Sequence, residues 1–523
     1  MIVIEKAKSL ALKLKNPARV LECLPSAKIF SGSAGEVVIA PHKLDEVKVL
    51  RNLGIKAPAP ILFYYDWPGR YTPYEHQKQT AAFLSIVRRG LVLNEIGTGK
   101  TQSALWAADY LMREGAVKKC LIISPLSTLQ RVWGDAIFTG FPNRNFVVLH
   151  GTSARRKKLL NTNVDFYIIN HDGFSIISED TIGMFDLVIV DEAAVLRNPS
   201  TRRFKVFRKW LDRNAQTNLW LMTGTPTPND PTDAWALAKL VESPYLTKTY
   251  TAFRDQVMMK LGQWKWVPRP ESAEIVKHVL RPAVRYTRDE CFDLPDTIIQ
   301  TRQVELSTEQ QKHYKTMMQS LVVEVVQEQA NSGTITAVNE AVKIQKLVQI
   351  ACGVAYDDDG QHIEVDCSPR VNVVKEIIEE AGEKVIVFVP LTGALRMLEK
   401  EISKHWTVGV VNGEVSSHKR DEIFKGFQDA KDPKVLIAHP GTMAHGLTLT
   451  SASTIIWYGP INSNEQYVQA NGRVERIGKR TVSNVVHIEA TELEHRMYQR
   501  LSSKQKLQGL LLDLIAEQSR GNV

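Results

Sequence analysis

Lys100 and Thr101 stand directly behind Gly97-Thr98-Gly99, at the end of the apolar run Leu91-Val92-Leu93 and ahead of a helix-like stretch from Gln102 to Met112. Glycines in such a strand-to-helix turn let backbone N–H groups converge on an anion at a helix N-terminus. A lysine there reaches the β- and γ-phosphates of ATP, and the threonine hydroxyl joins the shell of Mg²⁺. The spacing G-x-x-x-x-G-K-[ST] is met except at Asn94, and asparagine accepts left-handed backbone better than most residues. Further along, Leu187-Val188-Ile189-Val190 delivers Asp191-Glu192. Paired acids at the end of a buried strand cost on the order of several kcal/mol unless a cation compensates. Asp191 is therefore predicted to hold the metal and Glu192 to orient and deprotonate the attacking water. Near the C-terminus, Arg473 and Arg476 share one face of a predicted helix, with Gln469 about one turn earlier. Permanently charged guanidiniums suit the developing charge on a γ-phosphate.

Other residues are arranged around this hydrolytic set. Gln77, in Pro73-Tyr74-Glu75-His76-Gln77, has the donor and acceptor that an adenine edge requires. Thr223 and Thr225, in Thr223-Gly224-Thr225-Pro226, are candidates for sensing the γ-phosphate and relaying its loss. Ser124, Ser127 and Asn170 end predicted strands, where they either cap helices or touch a nucleic-acid backbone.

The elements that must position these residues read as strands alternating with helices. Predicted strands cover Lys119–Ser124, Phe146–Leu149, Phe166–Asn170, Phe185–Val190 and Leu219–Met222, a pattern that argues for a parallel sheet with ligands at the strand C-terminal ends. A second set covers Lys384–Val389, Val408–Val411, Lys434–His439 and Thr454–Tyr458 and contains no further phosphate loop. The fold expected is α/β: two tandem recombinase-like parallel-sheet lobes with helical insertions and a small N-terminal α+β accessory domain. The boundaries are 1–70 for the accessory domain, 71–240 for the ATP-binding lobe, 241–370 for a helical insertion and linker, 371–490 for the second lobe and 491–523 for a bracing helix. The accessory domain, a hairpin around Ser31–Gly35 followed by the helix-like Leu44–Leu53, is either a substrate-binding module or a packing cap.

In order, Gln77, Asn94 to Thr101, Asp191-Glu192-Ala193-Ala194 and Thr223-Gly224-Thr225-Pro226 resemble the first-lobe motifs of superfamily-two helicases. The phosphate loop is most similar to the Swi/Snf branch, with its D-E-M-G-L-G-K-T. Gln469 to Gly478 resembles that branch's Q-A-x-x-R-x-x-R-I-G-Q, and Gly441 to Leu449 its preceding motif. Between the lobes, Leu280 to Pro295 with its arginines and Leu294-Pro295, then Leu306-Ser307-Thr308-Glu309-Gln310, resembles the segment these proteins carry. The resemblance spans about residues 71–500 and implies an ATP hydrolase that moves along double-stranded or branched DNA with little sequence preference. ATP would sit between the lobes, with Arg473 and Arg476 offered from the second. Gly413 and Thr442 join the candidate nucleic-acid contacts. The sequence departs from the familiar D-E-A-H box at Ala194, so whatever that histidine couples must be coupled differently here.

Composition agrees with this reading without deciding it. The 523 residues are 44% hydrophobic and 24% charged, an ordinary globular mixture, long enough for roughly three to four domain-sized units. A formal net charge of +9 leans toward an anionic partner. The cysteines, Cys23, Cys120, Cys291, Cys352 and Cys367, form no C-x-x-C pair and have no histidine at ligand spacing, which speaks against zinc and for reduced thiols. No signal-like N-terminus or run of about eighteen apolar residues is present. A soluble protein that does not engage a membrane is expected, cytoplasmic or nucleoid-associated in a prokaryotic or phage-infected cell. The compact motor with a small N-terminal module points to fork remodelling, branch migration or annealing. A strand-separating DNA or RNA helicase and a non-motor nucleotide-binding scaffold are the alternatives.

Overall fold

Strand and helix patterns assemble into two units, Met1–Cys291 and Phe292–Val523, a division that falls inside the segment 241–370 expected to connect the lobes. The computed structural model describes residues 1–32, 35–227, 230–261, 266–292, 297–332, 337–356, 362–443, 449–474 and 483–502.

The first unit opens on an antiparallel sheet of β1 (Ile2–Ile4), β2 (Ser9–Leu12), β3 (Lys28–Gly32) and β4 (Gly35–Pro41), in the order β1-β2-β4-β3. Alternation sends Leu10, Leu12, Val38 and Ala40 inward, against Val47 and Leu50 of the helix Leu44–Asn52. The β3–β4 hairpin is the one expected. The sequence reading missed β1 and β2, which are short and lack turn residues between them.

The main sheet of this unit holds β5 (Arg89–Val92), β6 (Cys120–Ser124), β7 (Phe146–Val148), β8 (Phe166–Asn170), β9 (Leu187–Asp191) and β10 (Asn218–Met222). After a small antiparallel pair, β11 (Met258–Lys260) with β12 (Trp266–Pro268), the chain returns as β13 (Ala283–Val284). The order is β13-β5-β10-β9-β6-β8-β7, and each neighbouring pair is parallel. Helices cover both faces, so these strands are continuous apolar runs rather than alternating ones. In β9, Val188 and Val190 enter one core while Leu187 and Ile189 enter the other. β13 lies within the basic segment Leu280–Arg288, whose sequence has no strand pattern of its own.

The second unit is a parallel sheet of β14 (Thr297–Gln303), β17 (Lys384–Phe388), β18 (Val408–Val411), β19 (Val435–Ala438), β20 (Ala452–Trp457) and β21 (Ser483–Glu489), ordered β14-β21-β20-β17-β19-β18. A hairpin of β15 (Val354–Tyr356) and β16 (His362–Glu364) stands apart from it. Neither β14 nor β21 was foreseen. Helix Ser368–Ala381 is tied to helix Glu492–Ser502 by a fully buried pair, in which Arg370 Nη2 donates to both oxygens of Glu494 at 2.8 Å. The bracing helix expected beyond Glu492 is described as far as Ser502; residues 503–523 lie outside the described residues. Among the described residues, no helix is long and apolar enough to cross a membrane.

Candidate functional site

The phosphate loop leaves β5 and enters the helix Lys100–Arg113. Gly97 and Gly99 adopt φ of 89° and 78°, in the left-handed region where a side chain costs about 1–2 kcal/mol. At Gly99 a second constraint applies, because a Cβ would lie 2.1 Å from Gln77 Nε2. Lys100 folds back on its own loop, with Nζ donating to the carbonyls of Asn94 at 2.8 Å and Glu95 at 3.0 Å. A bound phosphate offers this ammonium stronger, charged acceptors. Thr101, half-buried, is the next residue of the helix.

Asn94, the departure from the strict motif, is 1% exposed and ties the loop together. Its Nδ2 donates to Thr80 Oγ1 at 2.9 Å, and its Oδ1 accepts from Tyr286 N at 3.1 Å. The same segment pairs with β5 and beyond it, since Leu93 N donates to Val284 O at 2.8 Å and Glu95 N to Tyr286 O at 2.9 Å. Arg288 N donates to Glu95 Oε2 at 3.1 Å. Phosphate loop and β13 segment are thus one hydrogen-bonded structure.

Gln77 was expected to read adenine. In this structure its Oε1 accepts from Tyr74 N at 3.0 Å, closing a capping box, and its Nε2 donates to Thr98 O at 3.3 Å. His76 Nε2 donates to the same carbonyl at 2.9 Å. Both side chains hold Thr98, which itself donates Oγ1 to Glu95 O at 2.8 Å.

Asp191 ends β9 with its carboxylate fixed. Oδ2 accepts from Ser124 Oγ and Trp133 Nε1, each at 3.1 Å, and Oδ1 from Glu192 N at 3.1 Å. The Asp191 carbonyl accepts from His171 Nε2 at 2.8 Å. Glu192 follows with φ 49° and ψ 49°, left-handed backbone in a non-glycine residue. Strain of this kind, about 1–3 kcal/mol, persists only where the surroundings over-determine the conformation. The corner fits Mg²⁺, which keeps waters and phosphate oxygens and takes only one or two protein side chains. Asp191, at the end of β9, and Thr101, in the first turn of the helix after the loop, are the side chains that would take those places.

Thr223 is buried, and its Oγ1 accepts from Thr225 N at 3.2 Å. Between them Gly224 lies so close to the phosphate loop that a Cβ would stand 3.4 Å from Ile96 N and 3.5 Å from Asn94 O. The hydroxyl-rich turn therefore packs on the loop.

In the second unit, Gln469 lies on helix Asn464–Asn471, 8% exposed, with Nε2 3.5 Å from Glu465 Oε1. Arg473 is 3% exposed, and its Nε donates to Met443 O at 2.9 Å. Through this bond Arg473, expected to present its charge to phosphates, also contacts the Pro440–Met443 turn. Arg476 lies outside the described residues.

Two of the expected nucleic-acid contacts, Ser124 and Thr442, are buried, and Asn170 is half-buried. Ser124 is fully buried and serves Asp191, so it is neither a helix cap nor a polymer contact. Asn170 Oδ1 accepts from Arg156 Nη1 at 2.9 Å, and Thr442 Oγ1 donates to His439 O at 2.7 Å. Ser127 and Gly413 are exposed. Sequence reasoning missed Asn94, Trp133, His76 and His171 as site residues. Only Asn94 carried a signal, as the one mismatch in the motif.

The SNF2-related domain family matches residues 74–353, more than half of the chain. The chain belongs to the SNF2-related family. Its second unit carries the helicase conserved C-terminal domain, matched over residues 369–478. The likeness to the Swi/Snf branch of superfamily-two helicases therefore holds, and this SNF2-related protein is an ATP-hydrolysing enzyme of the helicase class. Among its relatives, protein p41 of Acyrthosiphon pisum secondary endosymbiont phage 1 is 26% identical over 485 residues, covering 85% of this chain and 98% of p41. The ATP-dependent DNA helicase DDM1 of Arabidopsis thaliana is 24% identical, covering 81% of this chain but 59% of the plant protein. The SWI2/SNF2 ATPase core of Sulfolobus solfataricus, solved in complex with dsDNA, is 22% identical, covering 86% of this chain and 94% of that one with a TM-score of 0.42.

Proposed function

We propose that this SNF2-related protein is a DNA-dependent ATPase that moves along double-stranded DNA and remodels forks or branched junctions, by branch migration or annealing, without separating strands processively. The observation that carries the reading is the acid corner: a fixed Asp191 beside a strained Glu192, in the same unit as the phosphate loop and the threonine turn packed on it. A scaffold that merely bound nucleotide would gain nothing from a strained carboxylate.

ATP is bound by the loop N–H groups and by Lys100, released from its two carbonyl partners. Thr101 and Asp191 would hold Mg²⁺, which would supply charge neutralisation at the phosphates when bound. Glu192 orients a water and takes its proton. Loss of the γ-phosphate is sensed by Thr223 and Thr225 through the contact of Gly224 with Ile96 and Asn94. Motif position gives the transition-state guanidinium to Arg476, with Arg473 positioning the turn that precedes it. Duplex DNA is supported as the partner by the formal charge of +9 and by a DNA helicase relative. Phosphate-dominated binding makes the movement indifferent to sequence.

The test compares displacement of a triplex-forming strand with unwinding of a forked duplex, both with ATP. A translocase displaces the third strand and leaves the fork's strands paired; efficient fork unwinding without triplex displacement overturns the reading in favour of a strand-separating helicase.

A further inference from the structure

The peptide plane between Asp191 and Glu192 is pinned at both of its polar atoms. Its N–H donates to Asp191 Oδ1 at 3.1 Å, and its carbonyl accepts from His171 Nε2 at 2.8 Å. A carbonyl only accepts, so Nε2 of His171 carries the proton. The reach is unusual: β6 lies between β8 and β9, so the first residue after β8 spans the end of one strand to touch the end of the next. The turn that carries His171 is clamped on both sides. Asn170 Oδ1 accepts from Arg156 Nη1 at 2.9 Å, while Asp172 Oδ1 and Oδ2 accept from Arg203 Nε at 2.7 Å and Nη2 at 3.0 Å. Gly173 completes the clamp, because a Cβ there would stand 1.9 Å from Arg156 Nη1. The imidazole is thereby held on a corner whose own sequence supplies Ala194.

A peptide plane moves as a rigid body. Fixing its carbonyl therefore fixes the plane from which φ of Glu192 departs, the angle found in the left-handed region. We propose that His171 is a positioning residue for hydrolysis: its bond to the Asp191 carbonyl holds the peptide in the orientation that aims the Glu192 carboxylate at the attacking water. The bond also ties the corner to the helices Ser153–Leu160 and Arg202–Arg213, whose basic side chains flank the same turn through Arg156 and Arg203. The inference rests on reading Asp191 and Glu192 as the hydrolytic corner, and the test separates the two.

In the full chain, His171→Ala is expected to lower kcat for ATP about tenfold with KM for ATP unchanged within about twofold, because the bond removed is to the Asp191 carbonyl at the acid corner. His171→Gln, whose Nε2 can donate from nearly the same point, is expected to recover most of the rate. His171→Asn, one methylene too short, is expected to behave like alanine and replaces it should that variant fail to fold. Affinity for a non-hydrolysable ATP analogue with Mg²⁺, read by fluorescence titration, should stay level across the series. Amide exchange over 191–196 should quicken in the alanine and asparagine variants and not in the glutamine variant. A kcat untouched by His171→Ala and His171→Asn, or an equal loss in the glutamine variant, overturns the proposal. Glu192→Gln, run alongside, reports on the corner itself: full activity there sinks the underlying reading, whereas an inactive Glu192→Gln beside a fully active His171→Ala sinks only the role given to His171.

Discussion

Replacing Asn94 by alanine removes one side chain from inside the protein and cuts the phosphate loop from two neighbours at once. The amide donates to Thr80 Oγ1 at 2.9 Å and accepts from Tyr286 N at 3.1 Å. Each such bond contributes about 1 kcal/mol net, and leaving the Tyr286 N–H without its acceptor adds about 1 kcal/mol more. The total, about 3 kcal/mol, lowers the melting temperature by about 6 °C at roughly 2 °C per kcal/mol for a unit of this size. Asn94→Asp keeps an acceptor for Tyr286 but buries a carboxylate beside Thr80 Oγ1, whose own proton goes to His76 O, so it is expected to cost at least as much as alanine. Because Lys100 is held by the Asn94 carbonyl, the alanine variant is also expected to raise KM for ATP, about tenfold if half the lost energy had ordered the loop. Thermal unfolding without nucleotide and steady-state ATPase kinetics read both quantities. An alanine variant that melts within about 1 °C of the parent with an unchanged KM refutes the linkage of loop to β13.

Two further outcomes follow from the geometry. Gly99→Ala should abolish nucleotide binding in the parent, and adding Gln77→Ala should restore part of it by removing the amide that a Cβ at 99 would strike; additive losses in that double-mutant cycle contradict the contact. Burial pushes the His487 pKa down to about 4, while its Nε2 meets Tyr467 OH at 2.9 Å. The unfolded chain then binds a proton that the folded chain refuses between pH 6.5 and about 4. Stability is full above pH 6.5 and falls as the pH drops, by about 2 kcal/mol between pH 7.5 and pH 5 from this group alone. Urea denaturation of His487→Phe should show that much less loss over the same interval, and an identical pH dependence in both proteins contradicts the assignment.

Much of the architecture could be read from the chain because burial writes itself locally. Strands covered on both faces need unbroken apolar runs, and Leu187 to Val190, Cys120 to Ile123 and Val385 to Phe388 are such runs. Lys100 and the Asp191-Glu192 pair were legible for the same reason, since phosphate and metal chemistry demand particular residues beside particular elements. What the sequence hid depends on distant neighbours. β13 is two residues long and lies on the edge of β5; β14 is almost wholly exposed and its two isoleucines are followed by polar residues rather than an apolar run. Ser124 looked like a strand-end hydroxyl, and only the adjacency of β6 and β9 turns it toward Asp191. Gln77's double use, in the capping box and on Thr98, depends on the phosphate loop folding back beside its helix. The left-handed Glu192 and the reach of His171 have no local pattern, since a dihedral angle and a contact across an intervening strand are set by the assembled sheet.

The claim on which all of this depends is that the acid corner hydrolyses ATP in response to DNA. Steady-state ATP hydrolysis by the parent and by Glu192→Gln, each with and without duplex DNA, tests it most directly. The parent should be stimulated by duplex, and the variant should bind ATP as tightly while hydrolysing it about 10² to 10⁴ times more slowly. Stimulated hydrolysis that survives Glu192→Gln, or a parent enzyme indifferent to duplex DNA, contradicts the account.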